Sequence, residues 1–403
     1  MNIPYFRPSI GEEEKRLVDA VLTSGWLTTG QYARRFEEAF ASYLGAPQAV
    51  AVNSCTAALH LALEASGIGP GDLVLVPTMT FAATAAAVRF LGGRPVLVDC
   101  DPVTMNMDPE AAEQTAELWS RYGNLRGIIP VHYGGQMADM DRLGSLARRW
   151  DLAVVEDAAH ACPAYTRPGP ASPWQPVGAT SPLACFSFYA NKCITTGEGG
   201  MVTVQNPDTA ERIRRMSLHG LSKSAWRRFE AKVPWHYEIL DAGFKYNLTD
   251  LAAAIGLAQL EKAGRMWQDR RRVARLYAER LAAYQEFLEL PVELPDRQSS
   301  WHLYPIRLRL ESLDIDRNAF IAALGERGIT CSVHWMPLHL HPAYREAYGY
   351  RLGDFPVASS LWPRLVSLPM FPSMTEAEVD YVCDSIGALV GRQAAAPALA
   401  LCG

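Results

Sequence analysis

The apolar positions in the first 260 residues alternate between short continuous runs and segments with helical spacing. The runs predict strands near residue 185 and at 49–52, 73–76, 95–98, 127–131, 152–155 and 201–204. The segments between them predict helices at 56–65, 81–91 and 140–150. Strands that are apolar throughout are buried on both faces, as in a mostly parallel sheet covered by helices on both faces. The pattern therefore predicts an α/β fold.

The pattern changes near residue 249. Residues 249–283 have the spacing of one long helix, whose charged run at 269–272 we interpret as a solvated face. Strands at 301–308 and 329–333 and helices at 317–327 and 376–390 then predict a smaller α+β domain. We predict a large domain over 1–262, a small C-terminal domain over 263–393, and a flexible Ala-rich tail over 394–403.

Composition narrows the class of protein. A length of 403 residues allows two or three domains. With 49% apolar and 20% charged residues, the chain is not a disordered one. A net charge of −5 argues against a nucleic-acid partner, because phosphate neutralisation needs a basic surface.

The sequence also indicates a compartment. The N-terminus has no basic stretch followed by an apolar core, and no apolar run approaches the ~18 residues of a membrane span, so we expect no membrane partner. The 8 cysteines are scattered and form no C-x-x-C pair, which is typical of reduced thiols. We therefore expect a cytoplasmic location.

Several common motifs are missing from the chain. The chain has no G-x-x-x-x-G-K-[ST] pattern for nucleoside triphosphates and no H-E-x-x-H pattern for zinc, and no G-x-G-x-x-G opens a helix after a strand to bind a dinucleotide. We expect no metal site. Four other patterns carry candidate chemistry. The first, Asn53 to Thr56, follows a predicted strand and opens a helix, so its free N–H groups and the Thr56 hydroxyl suit a phosphate. A plain helix N-cap has the same pattern.

The second pattern places Glu156 and Asp157 at the carboxyl end of an apolar strand, followed by His160. Open α/β sheets bind ligands at this end of their strands. A buried carboxylate there needs a donor or cationic partner, and a protonated heterocyclic nitrogen is one such partner. A helix N-cap with a satisfied histidine is the alternative.

The third and fourth patterns add a lysine and an asparagine. Lys192 lies between an aromatic strand and a glycine-rich turn containing Gly197, and a lysine in such apolar surroundings can form a Schiff base. Asn247 precedes the long helix, where it can cap that helix or contact a phosphate. A phosphate cradle, an acid for a pyridinium nitrogen and a Schiff-base lysine are together what a protein contributes to pyridoxal phosphate chemistry.

These residues resemble the DegT/DnrJ/EryC1/StrS family of pyridoxal-phosphate sugar aminotransferases, which have the fold type I architecture. The resemblance extends over nearly the whole chain. The matching segments, in addition to the one around Lys192, are 24–30, 77–81, 131–136, 156–160, 218–220, 246–250 and 333–339.

The resemblance implies a role for each matching residue. Lys192 forms the Schiff base with the cofactor, and Asp157 pairs with the pyridinium nitrogen. Phe81 stacks on the ring, and His160 lies near its O3 or its phosphate. The residues expected to hold the phosphate are Cys55 (through its backbone), Thr56 and Ser187. Asn247 is expected to contact the phosphate of a neighbouring subunit, which implies a homodimer with shared active sites. Trp26 and His334 lie in segments that face the substrate.

Three features depart from the family pattern. Cys55 stands where glycine is common, and Tyr189 stands where many relatives have histidine. The segment 163–182, which we interpret as a surface loop, is unusually rich in proline.

The resemblance implies transfer of an amino group from glutamate or glutamine to a nucleotide-linked keto sugar by ping-pong kinetics. The segment 234–240 resembles enzymes that aminate C4, and C3 remains open. A keto-cyclitol acceptor is an alternative. A dehydratase of this family has histidine in place of the lysine, so Lys192 favours transamination. A non-enzymatic regulator would not need Lys192 or Asp157.

Overall fold

The computed structural model describes residues 1–222 and 237–394, in two successive groups of helices and strands. The first group is α1 (Glu12–Ser24), α2 (Gln31–Leu44), β1 (Gln48–Val52), α3 (Cys55–Ala65), β2 (Asp72–Pro77), α4 (Ala82–Phe90), β3 (Arg94–Val98), α5 (Pro109–Trp119), β4 (Asn124–Ile128), α6 (Met140–Arg149), β5 (Ala153–Asp157), β6 (Tyr165–Thr166), β7 (Gln175–Pro176), β8 (Leu183–Ser187), β9 (Gly200–Val204) and α7 (Pro207–Met216). The second group is α8 (Asp250–Glu261), α9 (Ala263–Leu281), β10 (Leu288–Glu289), β11 (Arg297–Gln298), β12 (Tyr304–Leu308), α10 (Arg317–Glu326), α11 (Pro342–Tyr348), α12 (Pro356–Leu361), β13 (Leu365–Leu368) and α13 (Glu376–Ala394).

The central sheet has 7 strands in the order β1-β9-β8-β5-β4-β2-β3. Strand β9 is antiparallel to both of its neighbours, β1 and β8, and the remaining pairs are parallel. All strands except β9 therefore run in the same direction, and their carboxyl ends meet at one edge. That edge is where an open α/β sheet presents loops and helix N-termini to a ligand.

Burial explains why the strand predictions succeed. All five positions of β9 are buried, as are four of the five in β1, β3 and β8. Such strands need side chains that are apolar on both faces, and this is the pattern visible in the sequence. Strand β4 is the exception, since it ends at Ile128 whereas the prediction extends to residue 131.

The structure differs from the predictions in several regions, and the predictions also omit elements that include α5, α7, α11, α12 and β13. The helices α1 and α2 are additional; they bury Leu17, Val21, Phe36 and Phe40. The long helix predicted over 249–283 is two helices that meet at Lys262. Residues 329–333 form isolated bridges rather than a strand. The proline-rich loop contains β6 and β7, which pair with each other and, through β6, with β11.

The C-terminal part has an apolar core of its own. Side chains from α9, α10 and α13 pack with β12 and β13, and this core also includes Ile3. Strands β10, β12 and β13 form a 3-stranded sheet. The domain limits at 262 and 393 stay a prediction, and the tail after 394 lies outside the described residues. Within the described part of the chain, every helix is too short or too polar to cross a membrane.

Candidate active site

A cavity of about 340 Å³ lies at the carboxyl edge of the central sheet. Four strand ends supply its walls: the residues after β1, β2, β5 and β8 all reach it. The sequence-predicted residues that line this cavity are Cys55, Thr56, Phe81, Asp157, His160, Ser187, Lys192 and His334. The structure thus brings together residues that are up to 279 positions apart in a single concave site, of the kind that binds small molecules.

The N-terminus of α3 forms one end of the cavity. Ser54 caps this helix, because its Oγ accepts the backbone N–H of Ala57 at 3.1 Å. Cys55 and Thr56 are the first two helical residues, so their N–H groups have no acceptor within the helix and are available to an anion. Burial raises the pKa of the Cys55 thiol well above its usual range, so this residue stays a neutral thiol beside those donors.

Gly200 allows the strand beside this helix to approach closely. A Cβ on Gly200 would lie 2.5 Å from the carbonyl carbon and oxygen of Ser54 and 2.7 Å from the nitrogen of Cys55. Those neighbours are backbone atoms and cannot move aside. The start of β9 therefore fixes the first turn of α3, which is a physical reason for glycine at this position.

Asp157, the last residue of β5, projects its carboxylate into the middle of the site. Its Oδ2 accepts the hydroxyl of Thr84 at 2.8 Å, and its Oδ1 accepts the backbone N–H of Ala159 at 3.1 Å. Burial raises the pKa of Asp157, against the lowering effect of these two donors and of Lys192. A buried carboxylate of this kind stabilises a cationic partner in the cavity.

Glu156, which the sequence grouped with Asp157, lies outside the cavity. Its Oε2 is 2.8 Å from Nε2 of His132, and both side chains are buried. His132 Nδ1 accepts the backbone N–H of Ala138 at 3.1 Å, so the ring proton is on Nε2 and is donated to Glu156. Only one of the two adjacent carboxylates is therefore available to a ligand.

Lys192 lies in the turn between β8 and β9. Its backbone N–H donates to the carbonyl of Tyr189 at 2.9 Å, and Phe188 donates to Gly199 at 2.9 Å. Gly197 has a φ of +82°, a conformation that favours glycine. Burial lowers the pKa of the Lys192 ammonium to about 8, despite the opposing charge of Asp157. About a tenth of this amine is consequently in the nucleophilic, neutral form at pH 7, far more than for a lysine with the ordinary pKa of about 10.4.

Three histidines line the cavity together. The ring of His160 lies 4.2 Å from that of His302 and 6.4 Å from that of His334, measured between centroids. Burial lowers the pKa of His334 to about 4 and lowers the pKa values of His160 and His302 well below their usual range. All three rings are therefore neutral at pH 7, and each offers one donor and one acceptor.

Two predicted residues lie elsewhere. Nε1 of Trp26 donates to the carbonyl of Thr29 at 3.2 Å, and Nδ2 of Asn247 donates to Oγ1 of Thr29 at 2.7 Å. Asn247 and Thr29 line a different cavity of about 630 Å³, which is bordered by α2 and β1. The single chain does not bring either predicted residue into the cavity of Lys192.

Sequence reasoning missed other residues of this site. Thr80, Asn191, His302 and Trp335 line the cavity, and Thr84 contacts Asp157. The two threonines are four residues apart at the start of a helix that follows a strand, which is a pattern the sequence displays. His302 had no such pattern, because it reaches the site from the segment before β12. Among the described residues, neither of its ring nitrogens has a hydrogen-bond partner.

Comparison with known proteins places this site in a family. Residues 8–387 match the model of the DegT/DnrJ/EryC1/StrS aminotransferase family. The chain is 42% identical to an uncharacterised protein of Methanocaldococcus jannaschii, over 97% of this chain and 98% of that protein. It is 41% identical to the spore coat polysaccharide biosynthesis protein SpsC of Bacillus subtilis, over 96% and 97% of the respective chains.

A solved structure extends the comparison to the fold. The PMP-form of a protein named as a sugar aminotransferase, Spr1654 of Streptococcus pneumoniae, superposes with a TM-score of 0.88 at 31% identity, covering 97% of this chain and 100% of that one. A PLP-form of the same protein superposes with a TM-score of 0.86. The predicted fold type I architecture, aminotransferase class and pyridoxal phosphate cofactor are confirmed at the level of the family. The chain belongs to the DegT/DnrJ/EryC1/StrS aminotransferase family.

Proposed function

We propose that this protein transfers an amino group from glutamate, or from glutamine, to the C4 keto group of a nucleotide-linked sugar. The observation that carries this proposal is the single cavity shared by Lys192, Asp157 and the N-terminus of α3. A nucleophilic amine, a buried carboxylate and an anion-binding helix end are what a pyridoxal phosphate site requires. The residues present fit this cofactor.

Each end of the cofactor has residues to hold it. Lys192 would bond to it covalently through Nζ, and Asp157 would keep a proton on its ring nitrogen. Phe81 is 60% exposed in the single chain, so its ring is free to cover one face of the cofactor. His160 would lie near the O3 or the phosphate side of the ring. The phosphate is held by the Cys55 backbone, Thr56 and Ser187, which line the same cavity.

The chain's own groups move the protons of the reaction. Bound pyridoxal phosphate would supply an electron sink, which stabilises negative charge on the substrate carbon next to the transferred nitrogen. The Nζ of Lys192 would take the α-proton of the amino donor in the first half-reaction, and in the second it would deliver a proton to the acceptor carbon that receives nitrogen. Both substrates use the same cavity in turn, so we expect ping-pong kinetics.

The acceptor class is supported by the relatives. SpsC is named for polysaccharide biosynthesis, and the solved relative is named as a sugar aminotransferase. The choice of C4 depends on the resemblance of the segment 234–240. Residues 234–236 of that segment lie outside the described residues, whereas Ile239 forms a bridge with Leu221.

The proposal includes a homodimer with shared active sites. Asn247 would then contact the phosphate in the cavity of the neighbouring subunit. Its position at the cavity of about 630 Å³, away from Lys192 of its own chain, is compatible with that role. Thr29 orients its amide by accepting from Nδ2.

A substrate panel tests the acceptor. The enzyme is incubated with glutamate or glutamine and with UDP-, dTDP- and GDP-linked 4-keto-6-deoxy sugars, their 3-keto isomers and a keto-cyclitol, and products are identified by mass spectrometry and NMR. We expect exchange of the keto oxygen for an amino group at C4 of one nucleotide sugar. Amination of the cyclitol alone, or loss of water without gain of nitrogen, would contradict the proposal.

The lowered pKa of Lys192 predicts how cofactor uptake depends on pH. Only the neutral amine can attack the aldehyde carbon of the cofactor, and its fraction rises as pH increases through the pKa of about 8. The covalent attachment rate of pyridoxal phosphate to the apoenzyme should therefore rise with a midpoint near pH 8 and not near the ordinary value of a lysine. Stopped-flow absorbance measures this rate; a rate still rising tenfold per pH unit above pH 9 would contradict the buried environment of Lys192.

A further inference from the structure

A chain of buried hydroxyl groups leads from the cavity wall to Asp157. Thr84 lies 2.8 Å from the Oδ2 atom of Asp157, and Thr80 lies 2.8 Å from Thr84, measured between hydroxyl oxygens. Thr84 is 0% exposed and Thr80 is 2% exposed. Thr80 also lines the cavity. We call these two residues the threonine relay.

Chemistry fixes the direction of the relay. An ionised carboxylate can only accept hydrogen bonds, so the single hydroxyl proton of Thr84 is donated to Asp157. The oxygen of Thr84 must then accept from Thr80, which is the donor in the contact between the two hydroxyls. Both bonds point toward Asp157, and hydrogen bonds aligned in this way strengthen each other.

The relay offsets the cost of burying this carboxylate. Burial raises the pKa of Asp157, and the hydroxyl of Thr84 is the first of the groups that lower it again. Together with the N–H of Ala159 on Oδ1, Thr84 also fixes the orientation of the carboxylate plane. The remaining lone pairs are left to face the cavity.

The position of the relay links it to the proposed ring site. Thr84 lies in the first turn of α4, and Thr80 lies just before the N-cap of that helix, where its hydroxyl reaches that of Thr84. Phe81 between them is the N-cap of that helix and lines the cavity. One short segment therefore supplies both the ring-covering side chain and the donors to Asp157.

We propose that Thr80 and Thr84 are positioning residues, which hold Asp157 ionised and correctly oriented toward the pyridine nitrogen of the cofactor. The inference rests on the proposed function, since it requires Asp157 to face that nitrogen. Thr84, which touches the carboxylate, has the larger role. Thr80 acts through Thr84.

The test compares Thr84→Val, Thr84→Ser and Thr84→Ala. We expect the valine variant to bind pyridoxal phosphate about 10- to 100-fold more weakly as apoenzyme and to lose a similar factor in kcat, the range for losing a hydrogen bond to a charged group. Serine keeps the hydroxyl and should stay within about threefold of the wild type. If valine prevents folding, the serine and alanine variants still differ by one hydroxyl.

The pH dependence of cofactor affinity supplies a readout that a packing defect would not change. Thr84 stabilises the ionised form of Asp157, so loss of its hydroxyl raises the pKa of that carboxyl. As pH is lowered, affinity should therefore begin to fall at a higher pH in Thr84→Val than in the wild type. Thr80→Val should show the same change to a smaller extent, about two- to fivefold in affinity, because Thr84 can still donate without it.

Thr78→Val is the matched control. Thr78 is also fully buried in the same segment, but its hydroxyl lies 2.8 Å from Nδ1 of His339 and not near Asp157. Equal effects of Thr84→Val and Thr78→Val, or equal losses in the serine and alanine variants, would overturn the inference. Failure of the wild type itself to bind pyridoxal phosphate would instead overturn the proposed function.

Discussion

Lys192→Ala is expected to abolish turnover and the absorbance band of the lysine-linked cofactor. The substitution removes both the covalent attachment and the group that moves protons between substrates. General acid–base catalysis alone contributes up to about 10⁴-fold, so the loss in kcat should reach at least that factor. The effect should fall on both half-reactions, because the same Nζ atom serves the donor and the acceptor.

The measurement combines steady-state kinetics with absorbance spectra and a thermal melt. The spectra should show a cofactor that is bound but has no covalent link to the protein. The thermal melt should remain cooperative. Lys15→Ala is the control. It removes a lysine on α1 whose exposed ammonium pairs with Glu12 and which does not line the cavity. A Lys192→Ala enzyme with normal turnover would refute the proposed mechanism.

The sequence could identify many residues of this cavity because their signals are local. Asp157, Ser187 and Lys192 each follow or end an apolar strand, and parallel strands that run in one direction place such residues at one edge. No long-range contact is needed to recognise that pattern. The same reasoning explains why the central strands were predicted closely, since burial on both faces leaves an unbroken apolar run.

The parts that were not predicted depend on tertiary contacts. The helix break at Lys262 is an example: the residue ends α8, starts α9 and pairs with the buried Glu14 of α1 at 2.6 Å. Helical spacing continues across such a change of axis, so periodicity cannot reveal it. Ile329 is another example. It is buried like a strand residue but forms only an isolated bridge with Ile3, and an apolar sequence pattern does not distinguish the two cases.

The residues around Lys192 and Asp157 show the same limit. The position of His302 beside His160 depends on how the segment before β12 packs on the loop at Gly134, where Leu303 donates to the Gly134 carbonyl at 3.1 Å. That contact joins residues far apart in the chain. Motifs at single strand ends identify groups that line the cavity, whereas the groups that orient them emerge only from the packing.

Asp157→Asn is the second substitution with a large expected effect. The amide is nearly isosteric with the carboxylate but carries no charge, so it cannot keep a proton on the pyridine nitrogen. It also has only one oxygen, whereas the carboxylate accepts from both Thr84 and Ala159. With a charge interaction and a hydrogen bond both lost in a buried site, we expect kcat to fall about 10³-fold and cofactor affinity to fall about 10-fold.

Glu156→Gln is the matched control. It shows whether a loss of activity in Asp157→Asn comes from the lost charge of Asp157 or from neutralising any carboxylate at the end of β5. Glu156 is the adjacent buried carboxylate, but it accepts from Nε2 of His132 outside the cavity, and a glutamine oxygen can accept the same bond. We expect its kcat to stay within about threefold of the wild type, since that hydrogen bond is kept. If the two variants lost activity equally, the effect would belong to the stability of β5. A selective loss in Asp157→Asn, with unchanged melting of both variants, would assign it to the contact between Asp157 and the cofactor.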